Sequence, residues 1–169
     1  MKIDSYIKTN RIKTAQLVAD KVIIYLDTKY WLILRDQINE TDPNKRKLLD
    51  KLLELSDSEK CIFPVSEISL FEFLKQSDFE TLKTTASLVD RLSKRVSMIN
   101  VDERRVLEFK HFFYNLTGRE THDISELIWT KPSFLLGYDF INRFETEELQ
   151  KSFFEFLSNA SLHDVITKL

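Results

Sequence analysis

Residues 22–26 (VIIYL) form an unbroken apolar run rich in β-branched side chains, bounded by Lys21 and Asp27. That pattern predicts a strand buried on both faces, taken here as the central strand. A second run, CIFPV at 61–65, contains Pro64, which removes a ladder donor and places a strand end or sheet edge there. A third, VSMINV at 96–101, is a weaker strand signal. Between the first two lies DPNKRKLLDKLLEL, where Asp42 can cap, Pro43 suits the first helical position, and Leu48, Leu49, Leu52, Leu53 and Leu55 make an apolar stripe. Ser69 with Glu72, and Ser77 with Glu80, each read as a capping box opening a further helix. Residues 102–117 predict a helix with Val106, Phe109, Phe113 and Leu116 on one face and Gly118 as its left-handed stop. From Thr121 the pattern continues through a helical DISELIWT, a break at Pro132, an apolar FLLG, and a helix marked by Leu149, Phe153, Phe154 and Leu157.

Strands alternating with helices require crossover connections, so the expected fold is α/β, a parallel central sheet flanked by many helices. No Pro-, Gly- or Ser-rich linker divides the chain, and residues 1–169 are expected to form a single domain. The two glycines and three prolines disfavour an all-β sandwich, whose tight turns need both. The spacing of Gly118 and Gly137 also excludes a GxGxxG or GxxxxGK phosphate loop. Lysine plus arginine (25) nearly balances aspartate plus glutamate (27), so no overall positive field attracts nucleic acid; any such contact must be local. The single Cys61 excludes an internal disulfide, and the cysteine and histidine spacing argues against structural zinc, which suits a reducing cytoplasm. No apolar stretch approaches membrane-spanning length, so neither a membrane nor secretion is expected.

The position with most chemical content is Asp27, because ligand sites in open parallel sheets form beyond the carboxyl ends of the strands. The same residue could simply cap a helix formed by TKYWLILRD, and the two roles are compatible. Glu72 follows the second strand by about one helical turn and could reach the same end of the sheet, unless it serves only as a capping glutamate. Two converging carboxylates repel each other unless a proton or a divalent cation lies between them. All-oxygen ligation without clustered His or Cys selects Mg²⁺ or Mn²⁺ over zinc, and such ions promote phosphodiester hydrolysis.

On these residues, KVIIYLDTKYWLILRD resembles the first strand and acidic turn of PIN-like ribonuclease domains, and CIFPVSEISLFEFLK resembles their second strand and glutamate-bearing helix. SMINVDERRVLEFKHFF is similar to the family's third strand, with Asp102 at the opening of the next helix. The likeness covers roughly the first 115 residues, strongest over 20–115. It implies metal-dependent cleavage of single-stranded RNA, with Asp27 and Glu72 at the matching positions. A third acid is implied from a later element: Asp123 in HDISELI is expected to complete the metal site, with Asp139 and Asp164 as alternatives. Lys29 stands where the family commonly has a small polar residue. ELIWTKPSFLLG also resembles part of longer bacterial proteins with a PIN-like N-terminal half, which implies a domain incomplete at its C-terminus.

Other signals are weaker. Arg105 and His111 loosely resemble a HEPN-type ribonuclease signature, but six residues turn a helix by about 240° net, so they would not share a face. His122–Asp123 and His163–Asp164 lack a nucleophile partner. Basic clusters at 45–47 and around Arg91, Lys94 and Arg95 read as solvated helix faces, with RNA contact as the alternative. FFEF at 153–156 reads as core or as an oligomer surface. The sequence therefore supports two expectations: a Mg²⁺-dependent ribonuclease using Asp27, Glu72 and Asp123, or a non-catalytic module that binds a partner protein or a second copy of itself, or else a truncated remnant of a PIN-like protein.

Overall fold

A computed structural model describes residues 3–120, 123–141 and 144–168. The described elements are α1 (Ile3–Val18), β1 (Val22–Ile23), α2 (Thr28–Asp36), α3 (Pro43–Asp57), β2 (Cys61–Ile62), α4 (Glu67–Phe73), α5 (Phe79–Ser93), β3 (Ser97–Met98), α6 (Val101–Leu116), a 3₁₀ turn (Ile124–Glu126), β4 (Trp129–Thr130), α7 (Pro132–Ile141), α8 (Glu147–Asn159) and α9 (Leu162–Lys168). The protein is mixed α/β and mostly helical. Its β structure is small: β1 pairs with β2 in parallel, β3 pairs with β4 antiparallel, and an isolated parallel bridge between Val65 and Ser97 links the two pairs.

The middle of this array is the segment 61–65, not 22–26 as the apolar runs suggested. Backbone groups of Ile62 face β1, where Ile62 O accepts from Ile24 N, while Phe63 N and Val65 N donate the other way, to Leu92 O and Val96 O. Pro64 has the parity of Ile62, so its missing N–H falls on the β1 side. The β1–β2 ladder therefore stops at Ile23–Ile62, while bonding toward β3 continues through Val65. Proline here ends one ladder without placing its strand at an edge.

Alternation along 61–65 sends Cys61, Phe63 and Val65 into the main core and Ile62 to the opposite side. The main core joins Trp31 and Leu34 of α2, Leu49 and Leu53 of α3, Leu70 and Phe73 of α4, Val89 and Leu92 of α5, and Leu162 and Ile166 of α9. On the other side Ile62 meets Val18 of α1 together with Val96 and Trp129. A smaller cluster of Phe134, Phe154 and Leu157 packs against Tyr6 and Ile7. By contrast Val22 and Ile23 are 61% and 46% exposed, and among the described residues β1 is paired along one edge only. An apolar run reports a strand, but not which strand lies innermost.

Several caps follow the sequence pattern. Asp42 accepts from Asn44 N (2.9 Å) at the start of α3, with Pro43 as the first helical residue. Gly118, at φ +63°, ends α6 with Arg119 N on Tyr114 O (2.9 Å) and Gly118 N on Asn115 O (3.3 Å), a Schellman arrangement. Others differ by a few residues. The caps of α4 and α5 are Ser66 and Asp78 rather than Ser69 and Ser77. Helix α1 escaped the sequence reading because its buried positions include polar Thr14 beside Val18. The face expected to bury α6 is solvent-exposed instead: Phe109 is 65% exposed, and no residue of α6 is buried. FFEF behaves as core at Phe154, which is fully buried.

These placements make two phenylalanines opposite cases. Phe63→Ala is expected to cost about 3–5 kcal/mol of unfolding free energy, while Phe109→Ala stays within about 0.5 kcal/mol of wild type, both read from urea denaturation.

Candidate functional site at the strand ends

Where β1 ends, the chain turns through Asp27 into α2; where β2 and its extension end, it turns through Ser66 into α4. Asp27 is the N-cap of α2: its backbone is extended (φ −64°, ψ 151°) and its Oδ1 accepts from Lys29 N at 3.3 Å. The capping role anticipated for this residue is therefore real, and it occupies one carboxylate oxygen. Asp27 and Lys29 are both exposed.

Helices α2 and α4 leave the strand ends side by side, held at a constant sequence offset. Tyr25 Oη and Ser66 Oγ lie 3.0 Å apart, Thr28 Oγ1 donates to Ser69 Oγ at 3.1 Å, and Arg35 Nη1 donates to Gln76 Oε1 at 3.1 Å, all pairs 41 residues apart. Ser66 Oγ accepts from Ser69 N (3.2 Å) as the cap of α4 and donates to Ser69 Oγ (3.2 Å). Four hydroxyls thus form a chain, with Ser69 almost fully buried at its centre. At its buried middle, Ser66 and Ser69, such a chain is costly to break in part, because a group freed there is left without water.

This arrangement changes the reading of Glu72. Because Ser66 caps α4, the position three residues later that a capping glutamate would occupy is Ser69, and Glu72 lies in the helix's last turn. Glu72 is exposed and its carboxylate has no hydrogen-bond or ion-pair partner among the described residues. It shares a face of α4 with Ser69, three residues before it. Ser69, one turn before it, is the residue that meets Thr28, directly after Asp27.

The other acids are employed elsewhere. Asp123 caps the 3₁₀ turn by accepting from Ser125 N at 2.8 Å, and those Ser125 hydrogen bonds, with a smaller contribution from His111, hold its carboxyl below the usual aspartate range. Asp164 exchanges hydrogen bonds with Ser161, whose N–H it accepts at 3.0 Å, at the start of α9. Asp102 stands in the first turn of α6, beside Arg105 at 3.3 Å, while Asn100 is the cap. Among the described residues no group of three or more His, Cys, Asp or Glu side chains could hold a metal ion, so Asp27, Glu72 and Asp123 do not form a three-carboxylate centre. The side chain of Asp139 and all of His122 lie outside the described residues.

A residue that the sequence reading passed over is Glu67. Its Oε2 accepts from Val101 N at 3.1 Å, tying the start of α4 to the start of α6. Beside it Arg11 and Glu103 pair at 2.8 Å, mostly buried. The signal available was the acidic residue directly after the Ser66 cap, where the helix dipole favours negative charge. The basic clusters are largely neutralised: Arg46 pairs with Asp50, and Arg91 and Lys94 both pair with Asp57. Compared with family models, with curated proteins and with solved structures, the chain matches none.

The hydroxyl chain and the free carboxylate separate experimentally. Ser66→Ala removes a cap and strands buried hydroxyls, with an expected loss of about 1–2 kcal/mol in chemical denaturation, whereas Glu72→Gln shifts stability by less than about 0.5 kcal/mol.

Proposed function

We propose that the protein is a PIN-like domain that cleaves single-stranded RNA with the help of Mg²⁺ or Mn²⁺ held between Asp27 and Glu72. The observation that supports this reading is the coupling of α2 to α4 at the carboxyl ends of two parallel strands, with Asp27 at the start of α2 and an exposed, unpaired Glu72 on α4. Capping consumes one oxygen of Asp27 and leaves the other for a ligand. Mg²⁺ retains several waters and is commonly bound through one or two carboxylates plus substrate phosphate, so two acids suffice as protein ligands. When bound, the ion lowers the pKa of a coordinated water and neutralises charge at the phosphodiester. The chain's own part is positional: the Tyr25–Ser66–Ser69–Thr28 hydroxyls hold the roots of α2 and α4 together, and so fix the spacing of the two carboxylates.

Asp27→Asn and Glu72→Gln are each expected to reduce Mg²⁺-dependent cleavage of a fluorescent single-stranded RNA to background, with circular dichroism unchanged. Cleavage by either folded variant at the wild-type rate would defeat the assignment.

A second reading, a non-catalytic module that self-associates or binds a partner protein, is favoured by α6. Phe109 and Phe113 meet with tilted rings at 4.7 Å and Phe112 meets Phe113 edge-on at 5.9 Å, all exposed. Multi-angle light scattering distinguishes the two: if this face is an interface between copies, wild type runs as an oligomer and Phe109→Glu as a monomer. An RNA-cleaving monomer in both forms removes this reading.

A further inference from the structure

A cavity of about 250 Å³ lies away from the strand ends, where α1 faces β4, the start of α7 and the end of α8. Its wall carries three cations, Arg11, Lys13 and Lys131, and no carboxylate; Tyr6 and Phe134 give it an aromatic side. The charges do not cancel locally. Arg11 is paired through Nη2 with Glu103 and drops out of the account. Lys131 is half-buried and donates through Nζ to Ser158 O near the C-terminus of α8, and Arg95 Nη1 donates to Asn159 O at 3.4 Å. Arg95 is also answered by Asp90 of α5 and Asp164 of α9, whose carboxyls sense its charge. Lys131 and Lys13 have no carboxylate partner among the described residues. The carbonyl end of α8 supplies about half a negative charge, against two full positive charges. A net positive surplus therefore lines a partly enclosed cavity. Burial, with a further contribution from Arg95, pushes the Lys131 ammonium below the usual lysine range, the direction expected of a cation lacking its counter-ion.

We infer that this cavity binds the phosphate group of a small organic phosphate monoester, with Lys131 and Lys13 as the anion's partners and Tyr6 and Phe134 against the organic part. Lysine serves phosphate as a compact point charge, and the rings offer an apolar surface to a flat or sugar moiety. Such a ligand restores the missing negative charge, while a neutral molecule of the same shape leaves it unmet. The site is separate from Asp27 and Glu72 and stands whether or not the nuclease reading does.

Calorimetric titration of the full chain with 5′-AMP, ribose 5-phosphate, inorganic phosphate and adenosine tests it. The two monoesters are expected to bind saturably at millimolar or lower concentration and adenosine not at all. Binding of inorganic phosphate alone would overturn the organic part of the assignment. Lys131→Gln is expected to weaken 5′-AMP binding by at least about tenfold, equivalent to about 1.4 kcal/mol. Lys13→Gln, a surface change that leaves the fold intact, is expected to weaken it several-fold and decides the matter should Lys131→Gln not fold. Asp27→Asn is expected to bind 5′-AMP as wild type does. No saturable binding by either monoester, unchanged affinity in the lysine variants, or loss of binding in Asp27→Asn would each overturn the proposal.

Discussion

The fold depends on the backbone of residues 61–65, which must be satisfied on both edges and covered on both faces at once. Buried peptide groups without partners are expensive, and this segment is buried throughout. It meets the demand by dividing its bonds: Ile62 serves β1, while Phe63 and Val65 reach Leu92 and Val96. Pro64, which cannot donate, occupies the one parity where a donor can be dispensed with, because β1 ends there and the chain departs into α2. The strand ends, and with them the candidate site, are placed by that single residue's chemistry.

From this origin the two helices rise as a coupled pair. The recurring offset of 41 residues between Tyr25 and Ser66, Thr28 and Ser69, and Arg35 and Gln76 ties the segment that carries α2 to the one that carries α4, from the residues before the helices to the turn after α4. Trp31 and Phe73 meet edge to face between them, at 6.4 Å between ring centres. A rigid pair is what a two-carboxylate ligand set needs, because metal ligands must be held in place by groups that are themselves locked. Phosphate chemistry runs through both proposals, yet the two sites use opposite means: negative oxygens at the strand ends, positive nitrogens between α1 and α8.

Much of this was legible in the residues, and the misses have physical reasons. Asp42 with Pro43 marks a helix start by mechanisms confined to one turn, so it needs no knowledge of the fold. Gly118 is equally local. The inner strand is not legible in the sequence because VIIYL and CIFPV are both apolar, and only hydrogen bonding to β3 and packing from both sides distinguish them. Glu72 looked like a capping glutamate because Ser69 lies three residues before it; the true cap, Ser66, shifts the frame by three and frees the carboxylate. The apolar face of α6 obeys helical periodicity and still faces solvent, since periodicity reports a stripe and says nothing of what covers it. Asp123 fits the order of acids that the resemblance implies, and that order is blind to the local demand of a 3₁₀ turn for a cap.

The one-sided pairing of β1 has a consequence for how the protein behaves in a crowded solution. In a parallel strand whose even-numbered groups face β2, the amides and carbonyls of Ile23 and Tyr25 point outward, ready to template another chain. Exposed β-branched side chains on such an edge usually invite runaway stacking. Here the segment is only a few residues long, and it runs into the exposed carboxylate of Asp27, while Lys21 at its other end is held by Glu59. Asp27 thereby guards the edge as a gatekeeper charge as well as capping α2.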